Sequence, residues 1–467
     1  MRQACHCDDF SRSALLRAAA AQAGQGLPVI ERGMPLPAGT GLDRRSFLAR
    51  STGLALSVYG ASRMGLPGLD EGIARAAAAA SPTDRVLVSV FLDGGADSLA
   101  ILFPTGDPNY RALRPKLGLA ESDGSAFAED PRLRWHPALG ALAGLHGEGK
   151  VSVLPAVGYT DPDQSHFTSR HYYEVGATQP NLRTGWLGRY LDRVGDPDNP
   201  LQGLSLDGQL QPALATARVP VAAIDGPGNY DFWTAGVWGD VAERMLDSLG
   251  QLGKAGLGKG DAALEEAGGV AVQAHRLRKQ LLPFADDDEG NPAYTSPVAY
   301  PESDDQFPKR LAGLGAMLAA GLPVRAVALT APGGYDTHAD QAQDLTDGLQ
   351  LTADSLLAFQ RDLEARGLAD RVLVNVWSEF GRRAKENGSS GTDHGAAGIG
   401  FLIGTRVRGQ LIGEFPGLDK GLDEQGNLKP TSDFRGLYAA ILEQWLETDA
   451  GAVIPDASRF QRPALLR

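Results

Sequence analysis

Arg85-Val-Leu-Val-Ser-Val-Phe-Leu-Asp-Gly-Gly95 is a continuous apolar run that ends at Leu92 and breaks on an acid and two flexible residues. A strand with one wet face alternates apolar and polar residues, so an unbroken run reads as a strand buried on both faces, as in a parallel sheet. The same form recurs at Val151 to Val157, Val324 to Leu329 and Val372 to Trp377, each preceded by a plausible helix. Repetition of strand and helix predicts an α/β fold: a mostly parallel central sheet with helices on both faces. The apolar spacing marks helices at Ala339 to Glu364 and Phe434 to Leu446, and also at Ala235 to Gln251 and Leu264 to Leu282. Phe284 to Phe307, rich in Asp, Pro, Gly and Tyr, reads as a long loop or insertion.

Upstream of this region the sequence carries an address. Asp43-Arg44-Arg45-Ser46-Phe47-Leu48 precedes the charge-free run Ser51 to Ser62, the pattern of a twin-arginine export signal. The apolar stretch Leu54 to Tyr59 is far shorter than the roughly 20 residues a bilayer needs, so it predicts a signal core and no stable membrane anchor. Residues 1–80 are therefore expected to be a leader, with cleavage near Ser81 or, alternatively, nearer Ala61; residues 81–467 are expected to be a single domain in the periplasm or secreted. The translocation machinery is then one partner. Both cysteines, Cys5 and Cys7, fall in the leader, which excludes disulfides and thiol chemistry from the domain. A net charge of −13 argues against a nucleic-acid partner, because phosphate backbones are held by clustered Lys and Arg.

Ligands of open α/β sheets bind at the carboxyl ends of the strands, so polar residues there carry most weight. These ends read Asp93-Gly-Gly-Ala-Asp-Ser98, Ser165-His-Phe-Thr-Ser-Arg170, Gly333-Gly-Tyr-Asp-Thr-His338, and Ser378-Glu-Phe-Gly-Arg382 with Gly391-Thr-Asp-His-Gly395. Asp93, Asp336, His338, Glu379, Asp393 and His394 are the residue types that hold divalent ions, with zinc, manganese, magnesium and calcium all open. Each is also an ordinary turn former or helix start, and only their joint placement points to a metal. Ser165 stands at a helix start, where a serine is either an N-cap or a nucleophile facing amide donors. Ser98 is the alternative nucleophile. His136 and His146 have no acidic cluster nearby and are expected to be structural.

These phrases together, with Gly185-Trp-Leu-Gly-Arg189, resemble the bacterial domain-of-unknown-function family 1501, over most of the chain from Arg85 onward. That family in turn looks like the alkaline phosphatase superfamily, which includes sulfatases. The resemblance implies an alkaline-phosphatase-like fold, one or two metal ions and an anionic ester substrate, small molecule or glycan. By position, Asp93, Asp336, His338, Glu379 and His394 look like metal ligands, with Asp393 a ligand or its support, and Ser165 looks like the nucleophile. Arg382, ahead of Arg170, is expected to clamp the ester's oxygens. This chain departs from the superfamily where Asp336 and His338 stand two apart and where Glu379-Phe380 replaces an acid and a histidine; the lost histidine implies a harder, oxygen-rich site or a single ion. A phosphoric- or sulfuric-ester hydrolase is the expectation. The alternatives are a non-catalytic protein on the same fold that binds an anionic glycan or lipid, and a partner subunit of a co-encoded exported protein.

Overall fold

The computed structural model describes residues 58–59, 85–230, 240–287 and 291–467, and every one of these belongs to one unit, residues 37–467. The strands used below are, in chain order, β1 (Val58–Tyr59), β2 (Val86–Phe91), β3 (Val151–Gly158), β4 (Gly203–Ser205), β5 (Val221–Ala223), β6 (Ala326–Thr330), β7 (Val372–Trp377), β8 (Arg382–Glu386), β9 (Thr392–His394), β10 (Gly398–Ile403) and β11 (Ser432–Asp433). The helices are α1 (Gly140–Gly147), α2 (His166–Val175), α3 (Trp186–Val194), α4 (Asp240–Gly256), α5 (Ala262–Leu281), α6 (Phe307–Ala319), α7 (Gln341–Ala365) and α8 (Phe434–Ala440).

Among the described residues the central sheet has nine strands in the order β1-β5-β4-β6-β2-β7-β10-β3-β11. The block β5-β4-β6-β2-β7 is parallel throughout, and β10 enters antiparallel between β7 and β3. The opening run lies at its centre, because every residue of β2 is buried and pairs in register with β7, from Val86 on Val372 to Phe91 on Trp377. Its alternation serves two cores. Val86, Val88 and Val90 face the side covered by α1, α6 and α7, while Leu87 and Phe91 face the side covered by α2, α3 and α8. A polar residue on either face of such a strand loses water, which is why the run is apolar but for Ser89, whose Oγ accepts from Trp377 Nε1 at 2.9 Å.

The expected strands and the helices at α5, α7 and α8 are present, with shifted ends. Helix α7 begins at Gln341 rather than Ala339 because Asp340 takes a left-handed φ of 46°, and the amides of Asp340 and Gln341 donate to the carbonyls of Ser389 and Ser390 instead of entering a helix. Helix α8 ends at Ala440 and its expected last turn, Ile441–Trp445, is a wider π turn. The start expected for α4 at Ala235 lies outside the described residues. So does the expected leader, Arg44 and Arg45 included, except Val58–Tyr59, which pair antiparallel with β5. Among the described residues no helix is long and apolar enough to cross a membrane.

His136 has a local task. Its Nδ1 accepts the Ala138 amide at 3.2 Å, and burial pushes its imidazole down to about 4. The unfolded chain takes up this proton near 6.5 and the folded chain near 4, so stability is whole above pH 6.5 and is lost as pH falls between these values, by about 3 kcal/mol. His136→Asn is expected to flatten the fall in urea stability between pH 6.5 and 4 by about one proton. An unchanged slope contradicts this account.

Candidate metal centre

The turns that leave β2, β4, β5 and β7 each carry an acid at the second residue beyond the strand: Asp93, Asp207, Asp225 and Glu379. Their fates differ. Gly94 and Gly95 hold φ of +121° and +75°, and a Cβ on Gly94 meets the Asp336 amide nitrogen at 2.3 Å, so this turn requires glycine. The turn aims two consecutive amides at one carboxylate: Gly94 donates to Glu379 Oε1 at 3.1 Å and Gly95 to Oε2 at 3.0 Å. Ser378 Oγ lies 2.9 Å from Oε2, and His166 Nδ1 meets Oε1 at 2.7 Å. Glu379 is fully buried with both oxygens engaged, and what it holds is an imidazole.

That imidazole is part of a convergence. His166 opens α2, Asp336 and His338 stand on the loop between β6 and α7, and His394 ends β9. His394 Nε2 lies 2.9 Å from Nε2 of His166 and 2.9 Å from Nε2 of His338. Asp336 Oδ1 lies 3.3, 3.0 and 3.2 Å from the same nitrogens of His166, His338 and His394. Among the described residues His166, Asp336 and His394 form a possible ligand group, their ligand atoms within 4.8 Å of one another, and His338 stands beside it, against Asp336 and His394.

The outer nitrogens decide what the inner ones are. His394 Nδ1 faces the Gln164 carbonyl at 2.8 Å, and a carbonyl only accepts, so Nδ1 carries the proton and Nε2 is bare. The Glu379 carboxylate imposes the same tautomer on His166, and Asp393 Oδ1 stands 3.6 Å from His338 Nδ1. Bare nitrogens 2.9 Å apart repel unless a cation or proton lies between them. The His166 and His394 imidazoles, turned inward by oxygen partners, with the Asp336 carboxylate fit a metal of the zinc class, and His338 stands on the side where a fourth ligand would be: ligand atoms about 2.0–2.1 Å from one ion stand about 3.3 Å apart in a tetrahedron. The electrostatics agree. The hydrogen bond to Glu379 raises the His166 imidazole and burial lowers that of His394; burial acts to raise Asp336, but Arg382 and the histidines overcome it and hold its carboxyl down at about 2. Asp336 and His338 are half exposed, so the centre opens to solvent on their side.

Arg382 supports this centre from below. Its side chain is wholly buried and donates to the carbonyls of Gly94, Gly95 at 2.7 Å, Tyr335 at 3.0 Å and Thr392 at 2.9 Å, and to Asp336 Oδ1 at 2.6 Å. The β8–β9 ribbon sets Arg382 opposite His394, which carries both to Asp336. Gln341 ties the loops together: its Oε1 accepts from Thr337 at 3.0 Å and Thr392 at 2.6 Å, and its Nε2 donates to Asp97 at 2.6 Å. Asp97 itself pairs with buried Arg114.

The structure therefore gathers Asp336, His338 and His394 at one point and distributes the other expected site residues around it. Glu379 sits behind His166 with no free oxygen. Asp393 is beside His338 and accepts from Asn387 at 3.2 Å. Asp93 stands outside the convergence, half exposed, 3.5 Å from Arg170, its carboxyl raised by burial against the pull of that arginine. Arg382 has given its guanidinium to protein oxygens, which leaves no donor for a substrate; Arg170 is the partly exposed alternative. Ser165 is the N-cap residue of α2, yet its side chain makes no capping hydrogen bond, whereas Ser98 is buried and donates to the Ala397 carbonyl at 3.3 Å. His166, from a different element, adds an imidazole that was not among the expected ligands, beside those of His338 and His394. Its signal in the sequence is Ser165-His166-Phe167, a helix start in which the histidine stands beside the expected nucleophile.

Among known folds, the chain is similar to PsFucS1 sulfatase from Pseudoalteromonas sp., with 13% identity, a TM-score of 0.35, and 86% of this chain and 78% of that one covered. It is also similar to a protein in the alkaline phosphatase superfamily from Vibrio parahaemolyticus, with 10% identity, a TM-score of 0.33 and coverage of 84% and 77%. A third likeness is to the C-terminal periplasmic domain of EcEptC from Escherichia coli in a complex with Zn, with 9% identity, a TM-score of 0.34 and coverage of 78% and 83%. No curated protein matches the chain. Residues 241–456, which hold Asp336, His338, Arg382 and His394, match the family described as Protein of unknown function (DUF1501).

Proposed function

We propose that this chain is an exported, metal-dependent hydrolase that cleaves a phosphoric or sulfuric ester through Ser165. The observation that carries the reading is the convergence of the His166 and His394 Nε2 atoms on the Asp336 carboxylate, with His338 Nε2 2.9 Å from that of His394. His166, Asp336, His338 and His394 would hold one ion, and a donor set of three imidazoles favours zinc or a similar transition metal over magnesium or calcium. Such an ion supplies Lewis-acid polarisation of the ester's non-bridging oxygens.

The chain's own residues do the rest. Ser165 lies between Gln164, whose carbonyl orients His394, and His166, so its hydroxyl is carried on the segment that builds the centre. It forms the new bond to phosphorus or sulfur as the bond to the departing alcohol breaks, and its proton leaves with that alcohol. Water then cleaves the serine ester and restores the hydroxyl. Arg170 clamps the anionic oxygens. Glu379 keeps His166 in the one tautomer that leaves Nε2 free. The twin-arginine pattern around Arg44 and Arg45 supports export to the periplasm or beyond, after folding and metal loading.

Purified, zinc-loaded protein is expected to hydrolyse 4-nitrophenyl phosphate or 4-nitrophenyl sulfate, and Ser165→Ala to lose on the order of 10³-fold or more in kcat with metal content intact. Unchanged turnover in Ser165→Ala contradicts the nucleophile. Stoichiometric metal with no turnover on any ester favours instead a binding protein for an anionic glycan or lipid.

A further inference from the structure

The proposed centre leaves one neighbour unexplained. Phe167 is 91% exposed, the most exposed of the large hydrophobic side chains described, although it directly follows His166 in the first turn of α2. The rest of α2 buries what it can: Tyr173 and Val175 lie in the cores, and even His171 and Glu174 are buried. An apolar ring left in water gives up the burial that every other large apolar residue of this helix obtains. On a helix, residues three and four apart are neighbours. Arg170 is therefore the helix neighbour of both His166 and Phe167, its guanidinium lying over the Phe91 ring and pairing with Glu174 and Asp93, while Phe167 directly follows the site imidazole with its ring free. Behind the imidazoles the space is already filled, since buried Phe380 packs on His166 and His394 with ring centroids 4.8 and 4.9 Å apart.

We infer that Phe167 is a specificity platform: it takes the organic part of the substrate, a ring or other flat apolar group, while the anionic head lies between the ion site and Arg170. This rests on the reading of the centre as a metal site. It adds that the substrate class is an anionic ester of a ring-bearing alcohol, aryl or sugar, rather than a free anion or a short alkyl ester. Rings stack face to face or edge to face on an aromatic side chain, and such contacts alter affinity by about 3- to 10-fold.

The test compares two ligands of equal charge that cannot be hydrolysed as esters, methylphosphonate and phenylphosphonate, titrated calorimetrically into the zinc-loaded full chain. The wild type is expected to bind phenylphosphonate about 3- to 10-fold more tightly. In Phe167→Ala that preference disappears while zinc content and methylphosphonate affinity hold, and Phe167→Trp keeps it. A preference that survives Phe167→Ala overturns the platform and leaves the metal site standing. If the wild type retains no zinc, or if neither phosphonate binds the zinc-loaded chain, the underlying reading fails and the platform falls with it.

Discussion

His394→Ala empties the metal centre. The wild-type chain dialysed against zinc is expected to retain about one equivalent, and the variant to lose more than about 100-fold in affinity, because His394 Nε2 stands 2.9 Å from both other imidazoles and closes the donor set. Glu379→Gln is the informative companion. Glu379 presents no oxygen to the convergence and acts by orienting His166, so its loss is expected to weaken zinc binding by only about 10- to 100-fold. Competition with a chromophoric chelator measures both. Equal damage from the two variants contradicts the assignment of Glu379 as the orienting group and His394 as the ligand. Acid weakens binding for the same reason: the imidazoles must be neutral to hold an ion, and the hydrogen bond to Glu379 raises that of His166.

The second large effect concerns stability. Arg382→Ala leaves the buried carbonyls of Gly94, Gly95, Tyr335 and Thr392 without their donor and removes the cation beside half-exposed Asp336. Breaking a buried, fully hydrogen-bonded charge in this way costs about 3–5 kcal/mol. The melting temperature is expected to fall by roughly 4–6 °C. Arg382→Lys restores the charge but not the fork, and recovers only part. Had Arg382 been a clamp on substrate oxygens, Arg382→Ala would melt like the wild type and lose only turnover; calorimetric melting of the three proteins decides.

Much of the fold is legible in the residues because parallel strands declare themselves. The β2 and β7 runs are apolar but for Ser89 and Asn375 since both faces are covered, and their breaks at Asp93 and Ser378 mark the strand ends. The three-residue strands β4 and β5 are too short to show a pattern, and β10, antiparallel, interrupts a sheet that repetition had made look uniform. At the site, the residue types were readable and their orientations were not. Asp93, Asp336 and Glu379 all follow strands, but only the Gly94 and Gly95 amides, contributed by a segment 284 residues away from Glu379, turn that carboxylate away from the ion position. His166 is the converse: its sequence neighbours mark a helix start, and it becomes a candidate ligand because Glu379 and His394 arrive from elsewhere. Long-range contacts of this kind leave no local signal in composition or spacing. Gln341 carries even less, being one polar residue at a helix start until Asp97, Thr337 and Thr392 close around it.

The central claim is that one ion sits among His166, Asp336, His338 and His394. An anomalous-difference map from crystals of the zinc-loaded chain, recorded at the zinc edge, tests it directly. The account predicts a single strong peak per chain, bonded to Nε2 of the three histidines and Oδ1 of Asp336 at about 2.0–2.2 Å, with Glu379 and Arg382 outside bonding distance. A second peak beside Asp93, a peak bonded to Glu379, or no peak at this point contradicts it.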